Sequence, residues 1–375
     1  MPVMEIDRAP EETGASPGSV HSHSSSRALS SGPVIGRGSG SHGWQPLAGD
    51  ALLQRLRVTG RPRPAADPEL AARIRDTMEQ ELAADLASTA AGVTAARPPM
   101  LVVTKDRLTR VLACERHQVV SEFGEREPTA ALACGAIIDA LFRQLVTVGS
   151  IGDPMADGLA ALRLDDRQRE LATWIDRLDG GRRDELQAEV ERQIRGLRNR
   201  WPDLSPGWLP RTQETMRVGL VGGAVELAAR VDLALGGPSV DEASVALVEI
   251  KAGARRVEHR AELHFYALLE TLRSLTPPFV VATYYTRTGE LDTDPVTAEL
   301  LAAAARRTLT GARSLLGLAA GHEPRPTPNG LCGVCAALPD CGVGRVRIER
   351  IEAAGRHRLD GHRSWDDESD GAPHR

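Results

Sequence analysis

Apolar positions set the rhythm of this chain from Asp67 onward. Asp67-Pro68 reads as an N-cap followed by a first-turn proline, and Leu70, Ile74, Met78, Leu82 and Leu86 recur every four residues, one face of an amphipathic helix. Helical patterns return around Lys105 to Cys114, Thr129 to Val148 and Asp165 to Arg200. The period then shortens to two. Val218-Gly219-Leu220-Val221 and Ala224 to Leu235 flank Gly222-Gly223, a two-residue hairpin signal. In the second of these strands Val225, Leu227, Ala229, Val231, Leu233 and Leu235 share one face, while Glu226, Ala228, Arg230 and Asp232 share the other. Val245 to Lys251 and Phe279 to Tyr285 predict two more strands, joined by a helix over about Val257 to Leu275, and a last helix covers about Thr297 to Ala319. A hairpin followed by a β-α-β unit predicts an α/β fold, a mixed central sheet flanked by helices.

Composition divides the chain around that core. Residues 1–48 are rich in Ser, Gly, Pro and His and bury too little apolar surface to offset chain entropy, so a disordered tail is expected, its histidines solvated rather than metal-bound. Residues 49–99 read as a helical extension and linker, 100–348 as the compact domain, and 349–375 as a flexible, charged tail. Arg192, Arg195 and Arg198, interspersed with Glu185, Glu189 and Glu191, read as a solvated, salt-bridged helix face. A net charge of -5 gives no global pull toward nucleic acid but leaves room for a local basic groove. Aromatics at 3% argue against binding by many stacking platforms. No stretch of about 18 apolar residues and no signal peptide stand out, so a cytoplasmic chain with no membrane span is expected. Five cysteines in that compartment point to metal binding or burial rather than disulfides.

The chain has only two lysines, Lys105 and Lys251, among 46 basic residues. Lys251 ends the run Val248-Glu249-Ile250-Lys251, and arginine, a fork that cannot be deprotonated, would not replace it in a catalytic role. Glu249 and Lys251 are two apart on a strand and so share a face, and Asp232 lies on the polar face of its own strand. If those strands pair, two hard carboxylates converge with one ammonium, a set suited to Mg²⁺ or Mn²⁺ and to phosphodiester hydrolysis. Lys251 would then orient or help deprotonate the attacking water and neutralise charge on phosphorus. The alternative is an incidental surface ion pair. Glu262 and Tyr266, four apart on the next helix, share a face that can look back on this site. Lys105 reads as a solvated lysine, with a phosphate contact as the alternative.

Cysteines bracket this set. Cys332-x-x-Cys335-x5-Cys341 supplies three thiolates, and a four-coordinate site needs one more. Cys114 is the candidate, since Cys134 has the apolar helix neighbours Leu132, Ile137 and Ile138 and reads as buried. Ligand type alone permits zinc or an iron–sulfur cluster.

Asp232, Glu249-Ile250-Lys251-Ala252-Gly253 and Glu262-Leu263-His264-Phe265-Tyr266 resemble, in order, the motifs of RecB-like nucleases of the PD-(D/E)xK superfamily. Together with the cysteine spacing they resemble its iron–sulfur subgroup, which includes AddB-type nuclease domains and CRISPR adaptation exonucleases. The likeness spans about Leu101 to Val346 and implies a restriction-endonuclease-like core that cleaves DNA with Mg²⁺ or Mn²⁺. It assigns Asp232 and Glu249 as metal ligands, Lys251 as the catalytic lysine, and Glu262 and Tyr266 as residues that position the DNA end or the lysine. It also implies a structural 4Fe-4S cluster on Cys114, Cys332, Cys335 and Cys341. Where the family has Gly-x-x-x-His, this chain has Gly135-Ala136-Ile137-Ile138-Asp139, so Asp139 becomes a further metal-ligand candidate. Glu262 stands where the family has glutamine, and Ala229 where it has a glycine.

The sequence thus predicts a nuclease acting on DNA ends or single strands, in repair, recombination or defence. No G-x-x-x-x-G-K-[ST] motif appears, so unwinding would come from a separate helicase or complex. Two rivals remain open: an inactive DNA-binding or structural module of the same fold, and a zinc-stapled protein with an incidental Glu-x-Lys.

Overall fold

The computed structural model describes residues 63, 65–90, 100–124, 127–237, 239 and 241–353. The expected tail over 1–48, the linker residues 91–99 and the C-terminal residues 354–375 lie outside the described residues, whereas residues 342–353, the start of the expected C-terminal tail included, are helical. The expected first helix is present as α1 (Pro68–Ala90), with Asp67 Oδ1 accepting the Leu70 amide at 2.8 Å and with Met78 and Leu82 fully buried.

From there the order is β1 (Leu101–Thr104), α2 (Lys105–Ala113), α3 (Glu115–Phe123), α4 (Ala130–Val148), α5 (Pro154–Leu164), α6 (Arg169–Asp176) and α7 (Gly180–Arg200). The hairpin β2 (Arg211–Leu220) and β3 (Val225–Leu235) follows, then β4 (Ala246–Lys251), α8 (Val257–Ser274), β5 (Val280–Tyr285), β6 (Glu290–Pro295) and α9 (Ala298–Ala319). Six strands form one mixed sheet in the order β1-β3-β4-β5-β6, with β2 also on β3. β4 and β5 are parallel across α8, the expected β-α-β unit. One apolar cluster fills the space between the sheet and α1, α2, α8 and α9. A second lies between the opposite face and α4 to α7. The result is the mixed sheet between two helical layers that the pattern predicts.

Several details differ. β1, β6 and α5 are too short or too weakly periodic to stand out in sequence. The helix expected over Asp165 to Arg200 is broken, because Asp179 caps α7 by accepting the Arg182 amide at 2.9 Å. The hairpin connection has four residues rather than two: the last pair is Leu220 with Val225, and Val221, Gly222 and Gly223 all take positive φ. The single apolar face expected along β3 also fails. Val225, Leu227, Val231 and Ala234 pack into the first cluster, whereas Leu233 and Leu235 pack into the second. The alternation slips by one at Asp232.

Helix α4, with 19 residues and a mean hydropathy of 1.6 over an 18-residue window, is long and apolar enough to cross a membrane by length and composition, although Asp139 and Arg143 interrupt it. Ile137, Ile138, Leu141 and Phe142 turn that apolarity inward, packing into the second cluster. α5 comes close enough that a Cβ on Gly158 would lie 2.6 Å from Ile137 Cγ2.

Candidate active site

β2 occupies one edge of β3 over nearly its whole length. On the other edge β1 runs parallel to Val225–Ala228, while β4 runs antiparallel to Leu233–Leu235. The two short strands therefore head toward each other and stop on either side of a break beside Ala229–Asp232. β1 leads into Lys105 and β4 ends at Lys251. Strand ends in open α/β sheets are where ligand-binding groups gather.

Both ammonium groups meet one carboxylate oxygen. Lys105 Nζ is 2.5 Å and Lys251 Nζ 2.8 Å from Glu249 Oε1. Glu262 Oε2 lies 3.0 Å from Lys251 Nζ and 3.6 Å from Lys105 Nζ. The Glu249 side chain is only 4% exposed and those of the lysines about a fifth. This is a buried ion cluster, not a surface pair on a half-exposed strand. Lys105 is not the solvated lysine its sequence position suggests; its ammonium stands 5.3 Å from the centroid of the Tyr266 ring. The Tyr266 hydroxyl donates to the Arg230 carbonyl at 3.3 Å.

Asp232 faces this cluster from β3. Its Oδ2 accepts the Ile250 amide at 2.8 Å, taking the place of a backbone carbonyl, and regular pairing with β4 stops at Leu233 and Val248. Gln213 stands level with Asp232 on β2, between the Thr212–Leu233 and Glu214–Val231 pairs, at a φ of 54°. That left-handed backbone costs a residue with a Cβ on the order of 1–3 kcal/mol. It aims the Gln213 amide at two carboxylates, with Nε2 2.8 Å from Asp139 Oδ1 and 3.3 Å from Asp232 Oδ1. Asp139 arrives from α4, with Arg143 Nε at 3.7 Å.

Neighbouring carboxylates here are driven in opposite directions. Burial raises the Glu249 pKa but is outweighed by Lys105 and Lys251, which hold it down to about 2. Asp232 is pushed well above the usual carboxylate range by burial, then by Glu249 and Asp139. Burial also raises Asp139, against the pull of Arg143 and Arg230. Lys105 and Lys251 both lose to burial but gain more from Glu249 and Glu262, so both are held as ammonium.

Four carboxylates thus face two lysines, and one buried oxygen, Glu249 Oε2, has no hydrogen-bond partner. Hard oxygen donors of this kind fit Mg²⁺ or Mn²⁺. Among the described residues no three His, Cys, Asp or Glu side chains stand close enough to hold an ion as placed, so Asp139, Asp232 and Glu249 would have to draw together around one.

Of the residues singled out from sequence, Asp139, Asp232, Glu249, Lys251, Glu262 and Tyr266 meet here. Lys105, read from sequence as solvated, joins them, and two others carried no sequence reading. His259 lies one helical turn before Glu262, with Nδ1 3.1 Å from the Tyr285 hydroxyl; burial and Lys251 lower its pKa. Gln213 had no signal, because its segment did not read as a strand.

Cys114, Cys332, Cys335 and Cys341 line one small cavity. Three of their sulfurs accept backbone amides at 3.4 Å, Cys114 from Thr327, Cys332 from Asn329 and Cys341 from Gly344. His117 Nδ1 is 3.4 Å from Cys335 Sγ. Cys114 Sγ also lies 3.9 Å from the Arg325 carbonyl, and as placed these cysteines, like the carboxylates, do not close into a metal site among the described residues. Cys134 lies elsewhere, buried, its thiol pushed up to about 11 by burial.

No family model matches the sequence, and no curated protein matches it. Among solved structures, a protein of Eubacterium rectale described as a candidate exonuclease is 14% identical over 65% of this chain and 88% of its own, with a TM-score of 0.40. The protein SSO0001 is 13% identical over 71% of this chain and 96% of its own, with a TM-score of 0.28. Neither likeness is close enough to bear on fold or activity.

Proposed function

We propose that the chain is a metal-dependent DNA nuclease, with Mg²⁺ or Mn²⁺ held by Asp139, Asp232 and Glu249. The observation that carries this reading is the convergence of both lysines of the chain on Glu249, beside a strained Gln213 that joins Asp139 to Asp232. A bound divalent cation supplies Lewis acidity at the phosphodiester. Lys251, fixed between Glu249 and Glu262, orients the attacking water and neutralises charge on phosphorus. Tyr266 supports Lys105 from below and anchors α8 to β3 through Arg230. DNA ends or single strands are the substrate class, unwinding falls to a separate helicase, and repair, recombination or defence is the setting.

The four cysteines hold a structural 4Fe-4S cluster in this reading, in the motif order of the iron–sulfur nucleases. Zinc is a second reading, since four thiolates suit it as well as they suit a cluster. An inactive module of the same fold is favoured by Glu262 in place of glutamine and by Lys105 already bonded to Glu249.

End-labelled single- and double-stranded DNA with Mn²⁺ tests the activity. Wild type should cleave, and Lys251→Ala should lose at least about a hundredfold in rate. Equal rates for the two proteins would sink the enzyme reading.

A further inference from the structure

Lys251 by itself hydrogen-bonds both Glu249 Oε1 and Glu262 Oε2, whereas Lys105 bonds Glu249 and stands 3.6 Å from Glu262 Oε2. A second ammonium on the same Glu249 oxygen is not needed to satisfy it; what Lys105 adds is charge. Its position is also unfavourable by local rules. Lys105 is the first residue of α2, where the helix dipole disfavours a cation. The surroundings hold it there regardless. Thr104 caps the helix by accepting the Arg107 amide at 3.3 Å, and β1 is fixed by its pairing with β3. The groups that act on Lys105 are Glu249, Tyr266, Glu262 and Asp232, two of them the carboxylates that would ligate a cation.

We propose that Lys105 is the resident counter-ion of this carboxylate site, held on Glu249 in the metal-free chain and setting how tightly a divalent cation binds. The inference rests on the metal-site reading above. An ammonium and a divalent cation placed on the same carboxylates repel each other, and burial screens that repulsion little. Lys105 therefore weakens cation binding while offsetting the further carboxylate charge of Asp232 and Glu262 when no cation is present. Lys251, directed also at Glu262, keeps its partner in either state.

Calorimetric titration of the full chain with Mn²⁺, its cysteine site intact, tests this without reference to cleavage. Lys105→Met and Lys105→Gln should each bind Mn²⁺ on the order of tenfold more tightly than wild type. The glutamine retains a donor for Glu249 and carries the test if the methionine variant does not fold. Lys105→Arg keeps the charge and should bind as wild type does. Equal or weaker binding by the neutral variants, with wild type binding, overturns the inference and leaves the metal site standing. No Mn²⁺ uptake by wild type or by the neutral variants overturns both. Asp232→Asn serves as control, since heat that persists in it belongs to another site.

Discussion

Asp232 and Glu249 are neighbouring carboxylates with opposite electrostatic fates. Glu249 is held down to about 2, so its contribution to stability is present above the ordinary carboxylate range and is lost as pH falls toward that value. Asp232 is raised, so the folded chain binds its proton more tightly than the unfolded chain does. Its ionised form costs stability at neutral pH, and that cost shrinks as pH falls toward the ordinary aspartate value and is gone below it. Asp232→Asn should therefore melt a few degrees above wild type at neutral pH in chelator, with the gap closing in acid. Mn²⁺ should raise the melting temperature of wild type and not of the variant; a variant that melts below wild type in chelator would refute this. At this scale the sequence was informative wherever a period was. Glu249 with Lys251, and Glu262 with Tyr266, follow from strand and helix spacing. Lys105 and Gln213 do not, because the partners that bury them lie far away in sequence and Gln213 adopts a backbone no pattern announces.

Helix α2 connects the two candidate sites, beginning at Lys105 and ending against Cys114. α9 sets its position: a Cβ on Gly311 would lie 2.2 Å from Leu108 Cδ1 and 3.5 Å from both Val111 and Leu112 side chains. Gly311→Ala should lower unfolding free energy in urea by about 1–3 kcal/mol, the usual cost of overpacking. An unchanged midpoint would mean that α2 yields freely and is not a rigid mount for Lys105. Elements with a full amphipathic period, α1, α8 and α9, were legible to within a residue or two. β1 has four residues, too few for a period. The slip at Asp232 was invisible for a different reason, since ideal alternation is assumed when a strand is read and the site lies where that assumption fails.

Across the whole molecule, residues near the start of the described core are tied to its end. Arg116 donates to the Asp340 carbonyl at 3.1 Å, and Asn329 to that of Ala113 at 2.9 Å, around the cavity the four cysteines share. Purified wild type should be brown, with a visible absorption band, and Cys335→Ser should lose the colour and melt several degrees lower. A colourless wild type holding one zinc per chain would establish the zinc reading instead. The grouping of Cys114 with the C-terminal three could be anticipated from counting ligands. The sheet order that brings β1 beside β3 could not, because a four-residue strand pairing across the whole helical layer leaves no local trace.

The break beside β3 also governs when the site can exist. Lys105 meets Glu249 across 144 residues, and Cys114 meets the Thr327 amide across 213. On the ribosome the first lysine and first cysteine emerge long before these partners. Chain connectivity thus orders assembly: the carboxylate site needs the chain only through Tyr266, whereas the cysteine cavity needs it through Cys341.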